Sequence, residues 1–577
     1  MKRKLYICLG MLVIFTSCTK NFLDINTDPN KPIKVDLAKL LPSTEQGLSY
    51  SLGFTNDNRG ARGLTEILSV YTHQITVRES QDQYGIDGSD ININGAWTGI
   101  YASAGAQVGN DVLGTLENAE VIISQATAQK NMIYAGIAKI IKAYAMSELV
   151  DAFGNIPYSQ ANKYATEGIR YPVYDKGATI YPQLLALLDE GIANLSDATA
   201  ANTSKPGSDD LFYGGSVAKW TNAGNTIKLK LYNQIRLVQN VSTEVTALVT
   251  GGKLIGSTAN SLMMPYGASS SPDDRNPGFN EYFATQKSHY QSPWFYSILK
   301  GYNSRIFTGN EDPRIPYYFY NQLSDDEAAQ SPTEYRDGAF LSIVFGSAGP
   351  NRDFAQDNSM TVFGIYPVGG RYDEGDSKAV KASDATGAAP FRMLTYADRL
   401  YIEAELMISG VLAGDARARL SAAIDESFAQ VDFVVSKTGT SQVVPKIAGT
   451  AAAKTYRDNV LAEYDAATAA KKLEIIMTEK WIQSFGNSNE QYTDYRRTGY
   501  PVLFNPNDNT QAPNHKYQPP INGDPFKPNA QPAITVQLSR SYPFSLPWSF
   551  DDLNRNPNAP AQKGPAADSS RVFWDVN

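Results

Sequence analysis

Cysteine is almost absent from this chain of 577 residues. The two cysteines, Cys8 and Cys18, both lie at the extreme N-terminus, and the only histidines are His73, His289 and His515. The sequence contains no G-x-S-x-G, no H-E-x-x-H, no cysteine cluster and no P-loop, which excludes the common nucleophile, zinc and nucleotide motifs. We therefore expect no enzyme activity, no cofactor and no bound metal. A carboxylate pair for glycoside hydrolysis stays possible among the 59 acidic residues.

Long apolar runs and an excess of basic residues are also missing. After the N-terminus no stretch stays apolar over the roughly 20 residues that a membrane-spanning helix needs. The 51 Lys and Arg residues are outnumbered by 59 Asp and Glu, which gives a formal net charge of -8. A nucleic-acid-binding surface normally needs a basic patch, so the sequence predicts no nucleic-acid partner. The content of 42% hydrophobic and 19% charged residues favours a packed globular body.

The N-terminus has the layout of an export signal. Basic residues 2–4 precede an apolar run over residues 5–15, and Cys18 follows two small residues. This order resembles a bacterial lipoprotein signal, so we expect residues 1–17 to be a signal peptide and Cys18 to be acylated, for example with palmitate. The alternative is an ordinary secretory signal with an incidental cysteine. If Cys18 is acylated, residues 18–34, which include "NTDPNKP", form a polar tether between the lipid and the folded body.

Apolar side chains recur at helical spacing along most of the remaining chain. The segments 131–154 and 181–195 each carry an apolar stripe, and the break "GNIPY" separates them. Residues 394–430 form the best helical hairpin, with a turn over residues 410–414. Paired helices with Ala, Tyr and Phe at their contacts are typical of tetratricopeptide-like units. The sequence therefore predicts a mostly α fold of such hairpins in one compact body, a single domain over residues 35–577.

Two long segments lack helical spacing and are rich in Gly, Pro, Asn, Asp and aromatic residues. They are a loop-rich insert at about 250–390 and an irregular cap at about 501–577. Loops of this length are commonly functional, and aromatic faces edged by polar groups suit sugars and peptides. We therefore expect these irregular loops, together with the loop at 78–90, to carry the binding surface. The candidate ligand-binding residues are Arg78, Gln83, Tyr84, His289, Tyr290, Trp294, Tyr296 and Arg371.

These aromatic residues have a simpler alternative role, which is to pack the loops onto the helices. Trp97 and Tyr101 illustrate it, because their spacing of four places both on one side of a predicted helix, where we expect them to pack. Neither residue is therefore among the candidates for ligand binding.

Six motifs follow one another along nearly the whole chain. "FLDINTDPNKP" comes after Cys18 and is followed by "AYAMSELVDAFGNIPY", "DPRIPYYF" and "LTYADRLYIEAE". "EKWIQSFGNSNEQYTDYRRTGYPVL" and "RSYPFSLPWSFDDLNRNPN" complete the set. In this order the motifs resemble those of the SusD/RagB family of nutrient-binding outer-membrane lipoproteins of Bacteroidetes.

The resemblance implies a lipid-anchored, mostly α protein at the outer surface of the cell outer membrane. Such a protein binds oligosaccharides or peptides, without catalysis, and delivers them to a SusC-like TonB-dependent transporter. Ligand residues vary within the family, so none is transferred to this chain. The motifs are expected to be scaffold, with Arg496 and Arg497 pairing with carboxylates inside the fold. A lipoprotein glycoside hydrolase and a structural solenoid without a ligand stay open as alternatives.

Overall fold

Helices, many of them in hairpins, make up about half of the described residues of the structure, which is a computed structural model. It describes residues 35–54, 63–77, 84–86, 88, 90–101, 114–283, 287, 289–346, 354–504 and 541–577. The helices are α1 (Leu37–Leu52), α2 (Leu64–Tyr71), α3 (Ile91–Tyr101), α4 (Thr115–Ala128), α5 (Met132–Phe153), α6 (Tyr164–Glu167), α7 (Gly177–Leu195), α8 (Val217–Ile235), α9 (Ser242–Gly251), α10 (Pro277–Phe283), α11 (Pro293–Leu299), α12 (Ile315–Tyr318), α13 (Ile365–Val368), α14 (Tyr396–Ile408), α15 (Ala416–Thr438), α16 (Ala451–Ala466), α17 (Ala469–Gln483), α18 (Asn489–Thr498) and α19 (Phe550–Arg555). The strands are β1 (Ile75–Val77), β2 (Ile156–Pro157), β3 (Tyr174–Asp175), β4 (Leu262–Met264), β5 (His289–Gln291), β6 (Phe319–Tyr320), β7 (Tyr335–Asp337), β8 (Phe340–Ser342), β9 (Val362–Phe363) and β10 (Phe391–Leu394).

Helix α5 is the central helix of the N-terminal half. It packs against α4 and α7, and most of its 22 residues are buried. Small residues allow the close approach to α7, because a Cβ atom on Gly136 would lie 2.7 Å from the carbonyl oxygen of Gly191. The helix ends at Gly154, whose φ of 78° turns the chain into β2. The predicted helix over residues 131–154 is thereby confirmed.

The predicted hairpin over residues 394–430 is formed by α14 and α15. A capping box starts α14, since the Thr395 hydroxyl accepts from the amide of Asp398 (3.1 Å) and the Asp398 carboxylate accepts from the amide of Thr395 (2.8 Å). Helices α16 and α17 continue the stack, and α17 packs back against α14. The prediction of a mostly α fold built from helical hairpins is confirmed. Within the described ranges, no helix combines the length and the apolar character needed to cross a membrane.

The insert at 250–390 contains more regular structure than the sequence predicts. Antiparallel pairs join β1 to β5, β4 to β10, β6 to β9 and β7 to β8, and short helices lie between them. The prediction of a loop over residues 289–296 was wrong, because Gln291 of β5 pairs with Ile75 of β1 and α11 begins at Pro293. A strand of three residues and a helix of seven are too short to show a hydrophobic period.

Charged side chains are buried where α5, α8, α14 and α18 meet. Lys230 of α8 pairs with Glu148 of α5 and, at 2.7 Å, with Glu490 of α18. Burial, aided by the nearby Glu490, raises the pKa of Glu148 to about 8 although Lys230 acts in the opposite direction. Arg497 of α18 pairs with Glu405 of α14 at 2.8 Å, as expected from the sequence. These pairs connect helices that are far apart in the chain.

Candidate ligand-binding cleft

An open cleft of about 310 Å³ lies between α3, the connection from β2 to β3 and α19. Residues 158–173 form this connection and are called the excursion from here on. The residues that line the cleft are Trp97, Thr98, Tyr101, Pro157, Ala161, Asn162, Pro172, Ser549, Asp551, Asp552 and Arg555. Because they come from distant parts of the chain, the cleft forms only when the N-terminal helices and the C-terminal segment have packed together.

The aromatic rings that line the cleft are those of Trp97 and Tyr101, and further rings pack against Trp97. The ring centroid of Trp97 lies 5.1 Å from that of Tyr101 and 6.0 Å from that of Tyr174, which is nearly parallel to it. Trp548 meets Tyr174 edge-on at 5.6 Å, and Phe153 meets Trp97 edge-on at 5.2 Å. Only 5% of Trp97 is exposed. The indole is therefore held rigidly and offers the cleft a narrow apolar edge, while the half-buried Tyr101 extends this apolar surface.

Hydrogen bonds fix the polar groups around this wall. The Tyr101 hydroxyl donates to the carbonyl of Pro157, and the Asn162 amide donates to the carbonyl of Tyr101, both at 2.6 Å. The Tyr174 hydroxyl donates to the carboxylate of Asp552. Burial raises the pKa of the Asp552 carboxyl, while the hydrogen bond from Tyr174 acts in the opposite direction. These groups are therefore positioned before any ligand arrives.

Helix α19 presents two exposed charges to the cleft. Asp551 and Arg555 are four residues apart, yet neither side chain forms an ion pair or a hydrogen bond with any part of the chain that the structure describes. The helix itself is fixed, since the Ser549 hydroxyl before it contacts the side-chain oxygen of Asn94 at 2.5 Å. A carboxylate that accepts and a guanidinium that donates are thus available to a ligand at the same end of the cleft.

The residues predicted from the sequence as ligand contacts lie away from the cleft or outside the described residues. Arg78 and Gln83 belong to the second group, and the predicted acylation site Cys18 also lies outside the described residues. Arg371 is bound within its own loop, because its guanidinium donates to Asp376 at 2.8 Å and lies 5.4 Å above the ring centroid of Tyr320. Its role in ligand binding stays a prediction.

Tyr84 is buried and borders a second cavity. Its hydroxyl lies 2.6 Å from Nε2 of His73, and burial lowers the pKa of that histidine to about 3, so the imidazole is neutral. The second cavity measures about 270 Å³ and is bounded also by Ser541, Pro543 and residues 564–567. Its lining is mostly Pro, Ala and Gly, so it offers few groups that could orient a ligand.

The remaining predicted contacts, at 289–296, are buried in the core. His289 lies between two carboxylates, with Nε2 at 3.2 Å from Glu66 and Nδ1 at 3.1 Å from Glu281. Burial acts to lower its pKa, but these carboxylates raise it to about 10. Tyr296 stacks on a neighbouring phenylalanine, and Tyr290 and Trp294 are almost fully covered. Ligand binding by these four residues is a prediction that no observation of the described residues supports.

The sequence does not predict the cleft, although several residues that line it belong to segments discussed above. Trp97 and Tyr101 were expected to pack on a helix, which they do, but they also line the cleft. Asp551, Asp552 and Arg555 lie in the irregular cap at about 501–577, which is among the loops expected to carry the binding surface, but their motif "RSYPFSLPWSFDDLNRNPN" is expected to be scaffold and none of the three is a predicted ligand contact. No spacing rule connects residues 97–101 to residues 549–555, so only the folded structure brings them together.

Comparisons with known proteins agree with this architecture. Residues 29–520 match the model of a SusD-like family described as "Starch-binding associating with outer membrane". Among solved structures, a SusD/RagB family protein from Bacteroides thetaiotaomicron VPI-5482 is similar at 19% identity, covering 91% of this chain and 95% of that chain, with a TM-score of 0.63. A SusD homolog from Bacteroides fragilis NCTC 9343 is 19% identical over 94% of this chain and 100% of that chain, with a TM-score of 0.61.

A chitin-binding SusD homolog from Flavobacterium johnsoniae is 20% identical, covering 94% of this chain and 99% of that chain, with a TM-score of 0.58. No curated protein matches the chain. At these identities the solved structures establish a shared fold, and the family model matches far more than half of the sequence. The predicted family is therefore confirmed, and the chain belongs to the SusD-like family.

Proposed function

We propose that this protein is a surface-exposed outer-membrane lipoprotein that binds oligosaccharide nutrients and delivers them to a SusC-like TonB-dependent transporter. The single observation that carries the binding role is the cleft between α3, the excursion and α19, found in a chain of the SusD-like family. The family description and the chitin-binding relative both concern glycans, which supports the same class of ligand.

The chemistry of the cleft suits a sugar. A pyranose has an apolar face that can rest on the edge of Trp97 and on Tyr101, and a ring of hydroxyls that both donate and accept. Asp551 can accept from such hydroxyls, while Arg555 and the amide of Asn162 can donate to them. A ligand with charges of one sign only would satisfy just one of the two opposite charges on α19, whereas a polyhydroxylated ligand can satisfy both.

Isothermal titration of the purified full-length protein against a glycan panel tests the binding role. Asp551→Asn and Arg555→Gln change exposed side chains that have no partner among the described residues, so neither should impair folding. We expect each to lower glycan affinity by about three- to tenfold, the value of one ordinary hydrogen bond, because Asn and Gln keep a polar group and lose only the charge. Glu244→Gln on α9, which does not line the cleft, is the matched control. Unchanged affinity in both cleft variants would refute the assignment.

The alternative of a glycoside hydrolase finds less support in the cleft. Glycosidases place two carboxyl groups on either side of the bond that breaks. Asp551 and Asp552 are neighbours on one helix, and the other described lining residues include no carboxylate. We therefore propose a binding protein without turnover. Release of reducing ends by the purified protein, abolished in Asp551→Asn, would favour the enzyme instead.

The lipid anchor and the transporter partner have separate tests. Cys18→Ser should abolish labelling of the protein by an alkyne analogue of palmitate in growing cells, because Cys18 is the proposed acylation site. An external protease should degrade the wild-type protein on intact cells if it faces the exterior. A TonB-dependent transporter should co-purify with the wild-type protein from detergent-solubilised membranes. Failure of any one of these contradicts that part of the proposal only.

A further inference from the structure

Lys563, in the C-terminal segment, contacts two groups that pack behind the cleft. Its side-chain nitrogen donates to the carbonyl of Phe153, the last residue of α5, at 2.5 Å. The same nitrogen lies over the ring of Trp548, 4.5 Å from its centroid. Lys563 is half-buried, and no carboxylate of the described residues pairs with it. The amino group is therefore held by a backbone carbonyl and an aromatic face.

The two groups that Lys563 contacts are joined to each other through the rings at the cleft. Phe153 meets Trp97 edge-on at 5.2 Å, and Trp97 lines the cleft. Trp97 stacks on Tyr174 at 6.0 Å, and Tyr174 meets Trp548 edge-on at 5.6 Å. The contacts form a closed cycle of five residues, in which Lys563 is the link between Phe153 and Trp548. A change at this link should consequently be felt at Trp97.

The amino group of Lys563 satisfies a helix carbonyl and covers an indole face at once. The carbonyl of Phe153 has no partner within α5, because Pro157, four residues later, lacks an amide hydrogen. A cationic side chain is favourable at such a helix C-terminus. The indole nitrogen of Trp548 also reaches this end of the helix, since it donates to the carbonyl of Asn155 at 2.8 Å. That bond holds the edge of the indole, whereas Lys563 holds its face.

The fold keeps Lys563 in this place at a cost. Burial lowers the pKa of Lys563 well below its usual value, and Arg496 acts in the same direction. The carboxylate of Asp151 on α5 offers no compensation, because it accepts from the hydroxyl of Tyr181 and from the indole of Trp574. An apolar side chain of similar volume would avoid this cost. A group held against its own solvation beside a candidate site indicates a role in that site and not in stability.

We propose that Lys563 is a positioning residue of the cleft: by joining the Phe153 carbonyl to the Trp548 face, it fixes the indole edge of Trp97 that a ligand meets. Its effect on binding rests on the proposed function, whereas its effect on Trp97 is measured without a ligand. Removal of the amino group opens the cycle of contacts at one link, so the indole of Trp97 gains freedom. A ligand must then order this indole on binding, which lowers affinity.

Fluorine NMR of the full-length protein labelled with 5-fluorotryptophan tests the order of Trp97 directly. The chain has six tryptophans, and the resonance of Trp97 is assigned by its loss in Trp97→Phe. We expect Lys563→Met to shift or broaden this resonance and to leave that of Trp220 on α8 unchanged. Lys563→Arg should restore the wild-type resonance, because it keeps a donor and a charge. Lys219→Met, which removes an amino group 5.9 Å from the ring centroid of Tyr213, is the matched control and should leave Trp97 unchanged.

Titration with the glycan panel and urea unfolding at pH 7 complete the test. For a glycan that binds the wild type, we expect Lys563→Met to weaken affinity by about two- to tenfold, the contribution of one ordered aromatic contact, and Lys563→Arg to restore it. The urea midpoint of Lys563→Met should not fall, because methionine fills the space without burying an amino group.

The outcomes separate the positioning role from the function on which its effect rests. An unchanged Trp97 resonance in Lys563→Met would overturn the inference, whatever the glycan result. A changed resonance with unchanged affinity would overturn the role of Lys563 in binding. A marked fall of the urea midpoint, or failure to fold, would assign Lys563 to stability and also overturn the inference. If no glycan binds the wild type, the proposed function fails for these glycans, while the Trp97 resonance still decides the positioning role.

Discussion

Replacing Lys230 with methionine tests whether buried charges hold the helices of the scaffold together. The Lys230 side chain is 4% exposed and pairs with Glu148 and Glu490, which are 2% and 4% exposed. Methionine keeps an unbranched apolar stem of similar length and removes the charge. The variant therefore leaves two carboxyl groups in the core without the ammonium that joins them.

The size of the expected loss depends on which groups are ionised. Because its pKa is raised to about 8, Glu148 is mostly protonated at pH 7. Burial acts to raise the pKa of Glu490 as well, but Lys230 and Lys480 hold it below its ordinary value, so Glu490 is ionised. Lys230→Met then removes the main partner of one buried carboxylate. Breaking a buried pair in this way costs about 3–5 kcal/mol, and we expect the free energy of unfolding to fall by that amount.

Urea unfolding followed by circular dichroism at pH 5, 7 and 8 measures this loss. In the variant, we expect the folded-state pKa values of Glu148 and Glu490 to lie above their unfolded value of about 4.3. Rising pH then ionises these groups in the unfolded state before the folded state, so the loss of unfolding free energy relative to the wild type should grow as pH rises. Lys139→Met is the control, because it breaks a 2.8 Å pair with Glu190, which is 62% exposed, and such pairs contribute about 1 kcal/mol or less. A deficit for Lys230→Met below about 1 kcal/mol at pH 7, or one that is equal at pH 5 and pH 8, would refute the reasoning.

Three further predictions concern the cleft wall, the core and a helix crossing. Tyr174→Phe removes a hydrogen bond that lowers the pKa of the Asp552 carboxyl, so this cleft-lining group should become protonated at a higher pH than in the wild type. As pH is lowered, glycan affinity measured by titration calorimetry should therefore begin to fall at a higher pH in the variant; identical pH profiles would contradict this. His289 has its pKa raised to about 10, so its stabilising charge is fully present below about pH 6.5 and is lost as pH rises towards 10. Wild-type urea midpoints should therefore fall more steeply over this range than those of His289→Gln, and parallel slopes would speak against it. Gly136→Ala places a Cβ atom 2.7 Å from a carbonyl of α7 and should cost about 1–3 kcal/mol in thermal unfolding, whereas Gly251→Ala, which meets open space in α9, should be neutral or slightly stabilising; equal costs would refute the crossing argument.

The helical scaffold could be predicted because its signals are local. The hairpin of α14 and α15 is visible in the sequence as two apolar stripes, a capping pair at Thr395 and Asp398 and a turn between them. Arg497 was expected to pair with a carboxylate and does. Arg496 instead donates to the carbonyl of Asp151, at 2.5 Å, and lies 3.8 Å above the ring centroid of Tyr492. The sequence indicates that a buried arginine needs a partner, but it does not show whether that partner is a carboxylate, a backbone carbonyl or an aromatic ring.

The cleft could not be predicted because none of its signals is local. Loop position and aromatic content favoured residues 289–296, but β5 and α11 bury these side chains in the core. Aromatic residues fill cores and line binding sites for the same reason, a large apolar surface with a polar edge, so residue type alone does not separate the two roles. Burial separates them, and burial depends on contacts such as that of Tyr174 with Trp97 and Trp548, which join three distant segments.

The two charges of α19 are exposed and do not pair with each other. An acidic residue four positions before a basic one is the favourable order on a helix and contributes about 0.2–0.5 kcal/mol when the pair closes. Pairs with the same spacing do close elsewhere in this chain: Lys163–Glu167, Arg399–Glu403 and Lys454–Asp458. Asp551 and Arg555 have the more favourable order, with the acidic residue first, yet both line the cleft without forming an ion pair with each other. Side chains that forgo a local ion pair beside a preformed aromatic wall remain available to hydrogen-bond a hydroxyl-bearing ligand, and the cleft variants at these two positions test that directly.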